Sequence, residues 1–121
     1  MIAAWIASGL IMVWALVHTI VGGRQVAGPL RRDAALPEVV RTTAWMCWHM
    51  VTATLFLTAV LFAWGAASAR PDLLLAGTLI SAGVMAAGLI AAPVLGVSYG
   101  RLPQGWLFVP VVVCGLWAVW G

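Results

Sequence analysis

Charge is what this sequence has least of. It contains no lysine, only three acidic residues and six arginines, so that 7% of its 121 residues are charged. Soluble domains carry about 25%, and so few charges cannot cover a water-facing surface of this size. The composition places the chain among integral membrane proteins. Nucleic-acid binding is excluded on the same ground, because it needs a basic face or stripe. No charged segment precedes the first apolar run, "MIAAWIASGLIMVWALVHTIVGG", and no small-residue cleavage pattern follows it. It therefore reads as a retained span rather than a cleaved signal. No lipidation motif occurs, and the apolar runs lack the alternation of barrel strands.

Acids are missing from every apolar run. Asp33, Glu38 and Asp72 all fall in connections. Proton-coupled pumps and multidrug exporters usually keep a carboxylate in the membrane, because it can change charge as protons and substrates exchange. A transport role is disfavoured by that omission. No nucleophile–base–acid constellation is present either, so the chain is expected not to be an enzyme.

What remains is four apolar runs. A membrane helix needs roughly 20 apolar residues to cross about 30 Å of hydrocarbon. The runs extend from about Ile2 to Ile20, Thr42 to Ala63, Leu73 to Val97, and Gln104 to Trp120. In lipid the backbone must satisfy itself, so they are expected to form an all-α four-helix transmembrane bundle in one domain. Gly22 and Gly23 are expected to end the first helix, leaving a loop from 22 to 41. Pro71 and Pro103 suit first-turn positions, whereas Pro93 and Pro110 fall inside spans and are expected to kink them.

Arginine placement sets the expected orientation. Arg24, Arg31, Arg32, Arg41 and Arg101 flank the first and third connections, and only Arg70 lies on the opposite side. The positive-inside rule then puts both termini outside a bacterial inner membrane. Trp5, Trp64, Trp117 and Trp120 fall at the outer ends, and Trp45, Trp48, Tyr99 and Trp106 near the inner ends, as two aromatic belts. Trp14 alone is deep. Arg24, Arg31 and Arg32 at the inner surface are expected to meet anionic lipid headgroups, or to dock an acidic partner or anionic ligand.

Two intramembrane histidines are the candidate chemistry. His18 and His49 lie on neighbouring antiparallel helices, at depths about 6 Å apart by helical rise. Trp14 shares a face with His18, and Thr42, Trp45 and Thr52 share one with His49. His18, His49, Trp14, Trp45 and Thr52 can therefore wall a pocket for a planar ligand. Haem b with one axial histidine from each helix is one candidate. A quinone held by His and Thr, or a bacteriochlorophyll on a single histidine, are others. The plainer alternative is that each imidazole bonds a Thr or a backbone carbonyl across helices, worth about 0.6 kcal/mol. Met46 and Met50 add soft donors, so copper held with His18 or His49 is a further alternative. Cys47 and His49 point about 200° apart on a helix and cannot chelate one ion together. Cys47 and Cys114 lie at opposite depths, too far apart for the roughly 7 Å Cα separation a disulfide requires.

The third run carries two rows of small residues, Gly83–Ala87–Ala91 and Gly88–Ala92–Gly96. Such rows let helices approach closely, within the bundle or at a seam with a second copy or partner subunit.

The pairing of "HTIVGGR" (18–24) with "CWHMVT" (47–52) resembles a pattern in small four-span membrane proteins of proteobacteria. The resemblance covers roughly the first half of the chain. It implies an inner-membrane location and directs interest to His18, Gly22, Gly23, Arg24 and His49, but implies no activity. The leading functional expectation is an accessory or assembly subunit of a larger respiratory or photosynthetic membrane complex. A haem- or quinone-binding redox protein is the alternative, and a small homodimeric transporter the third.

Overall fold

In the computed structural model, which describes residues 1–121, the chain is all-helical. Four helices run antiparallel: α1 (Ile2–Arg32), α2 (Glu38–Ser68), α3 (Pro71–Val94) and α4 (Gln104–Trp120). The first three are long and apolar enough to cross a membrane, and α4 is shorter. Each packs on its neighbour in sequence, and α4 closes the ring against α1.

The core is the inward stripe of each helix. On α1 it comprises Ala4, Ala7, Ser8, Ile11 and Ala15, a spacing set by 3.6 residues per turn. Small residues there bring α2 close, and Leu55, Thr58, Ala59 and Phe62 answer from it. Phe62 is fully buried and reaches the glycine notches at Gly77 on α3 and Gly115 on α4. A buried hydroxyl in hydrocarbon must find an acceptor. Ser8 donates to the Ala59 carbonyl across the α1–α2 seam at 2.9 Å. Thr58, Thr78 and Ser81 donate to carbonyls four residues back in their own helices.

The first helix does not end at its glycine pair. It continues to Arg32, through a π-helical stretch, Val17–Ala27. Its wider turns bond five residues back, as from the Gly28 N–H to the Gly23 carbonyl. Neither Gly22 nor Gly23 adopts positive φ. Continuation keeps the carbonyls of this segment bonded within the helix, and the Gly22 position is closed against the Trp48 indole of α2. The expected loop from 22 to 41 accordingly shrinks to the short stretch between Arg32 and Glu38.

Glycine termination operates instead at the end of α3. Gly96 has φ of 64°, and the Val97 N–H returns to the Ala92 carbonyl at 2.9 Å. Pro93 therefore lies in the last turn of α3 and does not bend its middle. Pro110 breaks α4 at Phe108, because proline has no N–H to continue the ladder. Pro71 occupies the first turn of α3 and Pro103 caps the start of α4.

The end of α2 uses the same left-handed device without glycine. Ala69 has φ of 50°, and the Arg70 N–H bonds the Gly65 carbonyl at 2.9 Å. A Cβ in that region costs on the order of 1 kcal/mol. Ala69→Gly is expected to stabilise the fold by about 1 kcal/mol, read as a raised unfolding midpoint in micelles; an unchanged or lowered midpoint would contradict the left-handed cap.

The two small-residue rows of α3 have different fates. Gly88 meets Gly105 of α4 backbone to backbone, where a Cβ on Gly88 would lie 2.6 Å from the Gly105 nitrogen. Ala92 is likewise fully buried. Gly83 has no atom within 4 Å of its Cβ position, and Ala86 and Ala87 beside it are exposed.

Candidate functional site

The half of the α1–α2 seam nearer the α1–α2 connection gathers the polar and aromatic side chains. His18 lies in the π-helical stretch of α1 and stacks on Trp48 of α2, with ring centroids 4.0 Å apart and planes 14° from parallel. Its Nε2 lies 3.3 Å from the Trp48 carbonyl. A carbonyl only accepts, so Nε2 carries the proton in this contact and Nδ1 is the free acceptor. Thr52 donates to the same carbonyl at 3.2 Å. Trp48 is held from below as well. Its indole fills the notch at Gly22, where a Cβ would meet two ring carbons at 2.9 Å.

The residues expected around a planar ligand are thus dispersed. His18 meets Trp48 and the carbonyl it shares with Thr52. His49 is exposed on α2, with Trp45 of the same helix edge-on at 4.1 Å. No ring contact joins His18 to His49. Trp14 turns away from both histidines and donates its indole N–H to the Leu107 carbonyl at 3.1 Å. That carbonyl sits at the α4 break and receives no backbone bond there. The deep tryptophan therefore caps the break that Pro110 creates. Ligation of haem by both histidines would require His49 to turn inward, with His18 either binding through Nδ1 or giving up its carbonyl.

The soft donors do not converge. Met46, Cys47 and Met50 are exposed on α2, and no group of three or more His, Cys, Asp or Glu side chains is clustered to hold a metal. Cys114 is also a free thiol.

A second grouping lies at the end of the bundle where α1 ends and α2 begins. The Arg31 guanidinium sits over the Trp45 ring, 5.4 Å from its centroid. Arg31, Arg41, Thr42 and Trp45 line a small cavity of about 100 Å³. Arg41 is oriented by a long bond of 3.4 Å from Nη1 to the Asp33 carbonyl. Arg32 instead folds back along α1, with Nη2 3.4 Å from where a Cβ on Gly28 would be. Arg24 is exposed on the π-helical stretch. Of the three loop arginines expected to act together, the structure places only Arg31 in the cavity.

Trp48, Arg41 and Gly22 are the residues that inspection by single-helix phase does not assign to these groupings. Trp48 looks like a belt anchor from its depth, and Arg41 like a topology signal. A usable clue was Gly22, four residues after His18 and so on its face: a glycine beside an intramembrane histidine leaves room for a large ring from the next helix. Comparison with family models, with curated proteins and with solved structures finds no match for the chain.

Proposed function

We propose that the chain is a multi-pass protein of the bacterial inner membrane, with both termini outside, that serves as an accessory or assembly subunit of a larger membrane complex. The observation that carries this reading is the unpartnered small-residue face of α3. Gly83, Ala86 and Ala87 leave a shallow trough on the lipid side. The same face carries bulkier Leu79, Ile80 and Ile90 on either side, so the gap is one of two turns; the outward faces of α1 and α2 are mainly bulky, with Ile6, Val13, Leu57 and Trp64 exposed and Gly9 the open position on α1. In a bilayer, helices associate by close packing and not by escape from water, so a trough of this kind favours another helix over mobile acyl chains. The inner row of α3 shows the outcome within one chain, where Gly88 admits Gly105 to backbone contact.

The orientation rests on charge. Arg24, Arg31, Arg32, Arg41 and Arg101 all belong to the end where α1 meets α2 and α3 meets α4. The opposite end has Arg70, neutralised by Asp72 through a 2.8 Å bond from Nε. The short resemblance in 18–24 and 47–52 agrees with an inner-membrane location. A respiratory or photosynthetic complex is the expected setting, because such assemblies contain many small helical subunits with little mass in water.

Gentle detergent extraction followed by mass-spectrometric identification of co-purifying chains tests the role. A fixed set of membrane partners is expected with the natural sequence, reduced at least tenfold by Gly83→Leu, on the order of the loss of close helix packing. Recovery of the chain as a lone monomer, indifferent to Gly83→Leu, would refute the subunit reading.

A further inference from the structure

We propose that the cavity formed by Arg31, Arg41, Thr42 and Trp45 is a binding site for a single phosphate group, as a phospholipid headgroup or a free phosphate ester. Its chemistry is that of an anion site. Two guanidiniums supply forked N–H donors suited to phosphate oxygens, and the Thr42 hydroxyl stands at the same opening. The volume of about 100 Å³ is well below the roughly 300 Å³ at which small-molecule pockets begin. It admits a headgroup phosphate and not a nucleotide or a haem.

Charge accounting within the chain points the same way. The only ion pair is Arg70 with Asp72, at the opposite end of the bundle. Arg31 and Arg41 thus lack a carboxylate partner, although Asp33 and Glu38 are close in sequence. Asp33 directs one carboxylate oxygen to the Ala35 N–H at 2.9 Å and offers Arg41 only its backbone carbonyl. Thr42 spends its proton on the Glu38 carbonyl at 2.8 Å, so the donors to a phosphate are the two guanidiniums. The Trp45 indole holds the Arg31 guanidinium by its face, an attraction that leaves the planar N–H edge free to donate.

Position selects the source. The cavity opens where the apolar part of α2 gives way to its polar first turns, the level at which arginines meet anionic headgroups. The lipid source rests on the membrane location proposed above, whereas the phosphate chemistry does not.

The test uses the full chain in neutral maltoside micelles. Dioleoyl phosphatidylglycerol, dioleoyl phosphatidylcholine and inorganic phosphate are titrated separately, with bound adducts counted by native mass spectrometry. Phosphatidylglycerol is expected to bind in one-to-one stoichiometry and to lose roughly tenfold in affinity in Arg31→Gln and again in Arg41→Gln, in keeping with one charge-assisted contact each. Arg24→Gln and Arg70→Gln are expected to leave binding unchanged. Binding of inorganic phosphate with the same dependence on Arg31 and Arg41 upholds the site and identifies a soluble phosphate ester as its source. Binding that ignores Arg31 and Arg41, or falls equally in Arg24→Gln, overturns the proposal. A melting curve for each variant separates lost binding from lost folding, and membrane integration, read by alkaline extraction, fails or succeeds independently of these titrations.

Discussion

Gly105→Ala is expected to unseat the fourth helix, at a cost of about 3 kcal/mol, the upper end of what overpacking incurs. The added carbon would lie 2.7 Å from the Gly88 carbonyl carbon and still closer to the Leu89 nitrogen. Both are backbone atoms within the last third of α3, so neither can rotate aside as a side chain would. Either α4 lifts away from α3 or α3 bends, and both responses open the seam that Phe108 and Val111 help to fill. Gly83→Ala makes the matched control, because nothing lies within 4 Å of that position. Unfolding midpoints in micelles should separate the two by several degrees or more. Equal midpoints would mean that the α3–α4 approach is not as close as the structure has it.

Phe62→Ala is the second large loss. The ring is fully buried and spans from α2 to two other helices. A Cβ on Gly77 would touch it at 3.0 Å and one on Gly115 at 3.2 Å. In water-soluble cores such a truncation costs about 3–5 kcal/mol, part of it transfer from water and part the cavity left behind. In a bilayer the transfer part shrinks, since the separated helices would already expose the ring to hydrocarbon. The cavity part survives: roughly 100 Å³ at about 24 cal/mol per Å³ gives about 2.4 kcal/mol. Leu57→Ala on the lipid-facing side of the same helix should cost no more than about 0.5 kcal/mol. A similar cost at both positions would show that α2 is rotated from the orientation described here.

The helical class, the four apolar segments and the inward stripes follow from residues that any phase analysis picks out. Ala4, Ala7, Ser8, Ile11 and Ala15 recur at helical spacing, and the Pro110 break falls where a missing N–H must put it. The end of α1 was illegible for a physical reason. Gly22–Gly23 is a stop signal where the helix end is free, and here the Trp48 indole of α2 packs on Gly22 and the helix runs on. That single difference moves Arg31 from a loop to the last turn of a helix beside Trp45, so the arginine cavity could not be read in advance. His18 shows a second limit. Phase arithmetic names the neighbours on its own helix, Trp14 among them. It does not fix which residue of α2 arrives opposite, and that residue is Trp48. Trp14, whose depth called for an explanation, finds one at Leu107, 93 residues away.

The unequal helices make the bundle a wedge in thickness. At 1.5 Å per residue, α2 is about 46 Å long and α4 about 25 Å, the latter shorter than the roughly 30 Å of hydrocarbon it would cross. In the membrane setting proposed above, a bilayer would thin or pucker beside α4 while the far side tolerates a full-depth layer. Trp106 and Trp117 are exposed near the two ends of α4 and would mark the two interfaces of that pinch, since indoles prefer the headgroup level. Lipids and proteins around the chain would then be sorted by side, with short-chain or loosely packed neighbours drawn to α4. A partner seated on α3 would abut the slope between the two regimes, and would relieve part of the deformation by covering it.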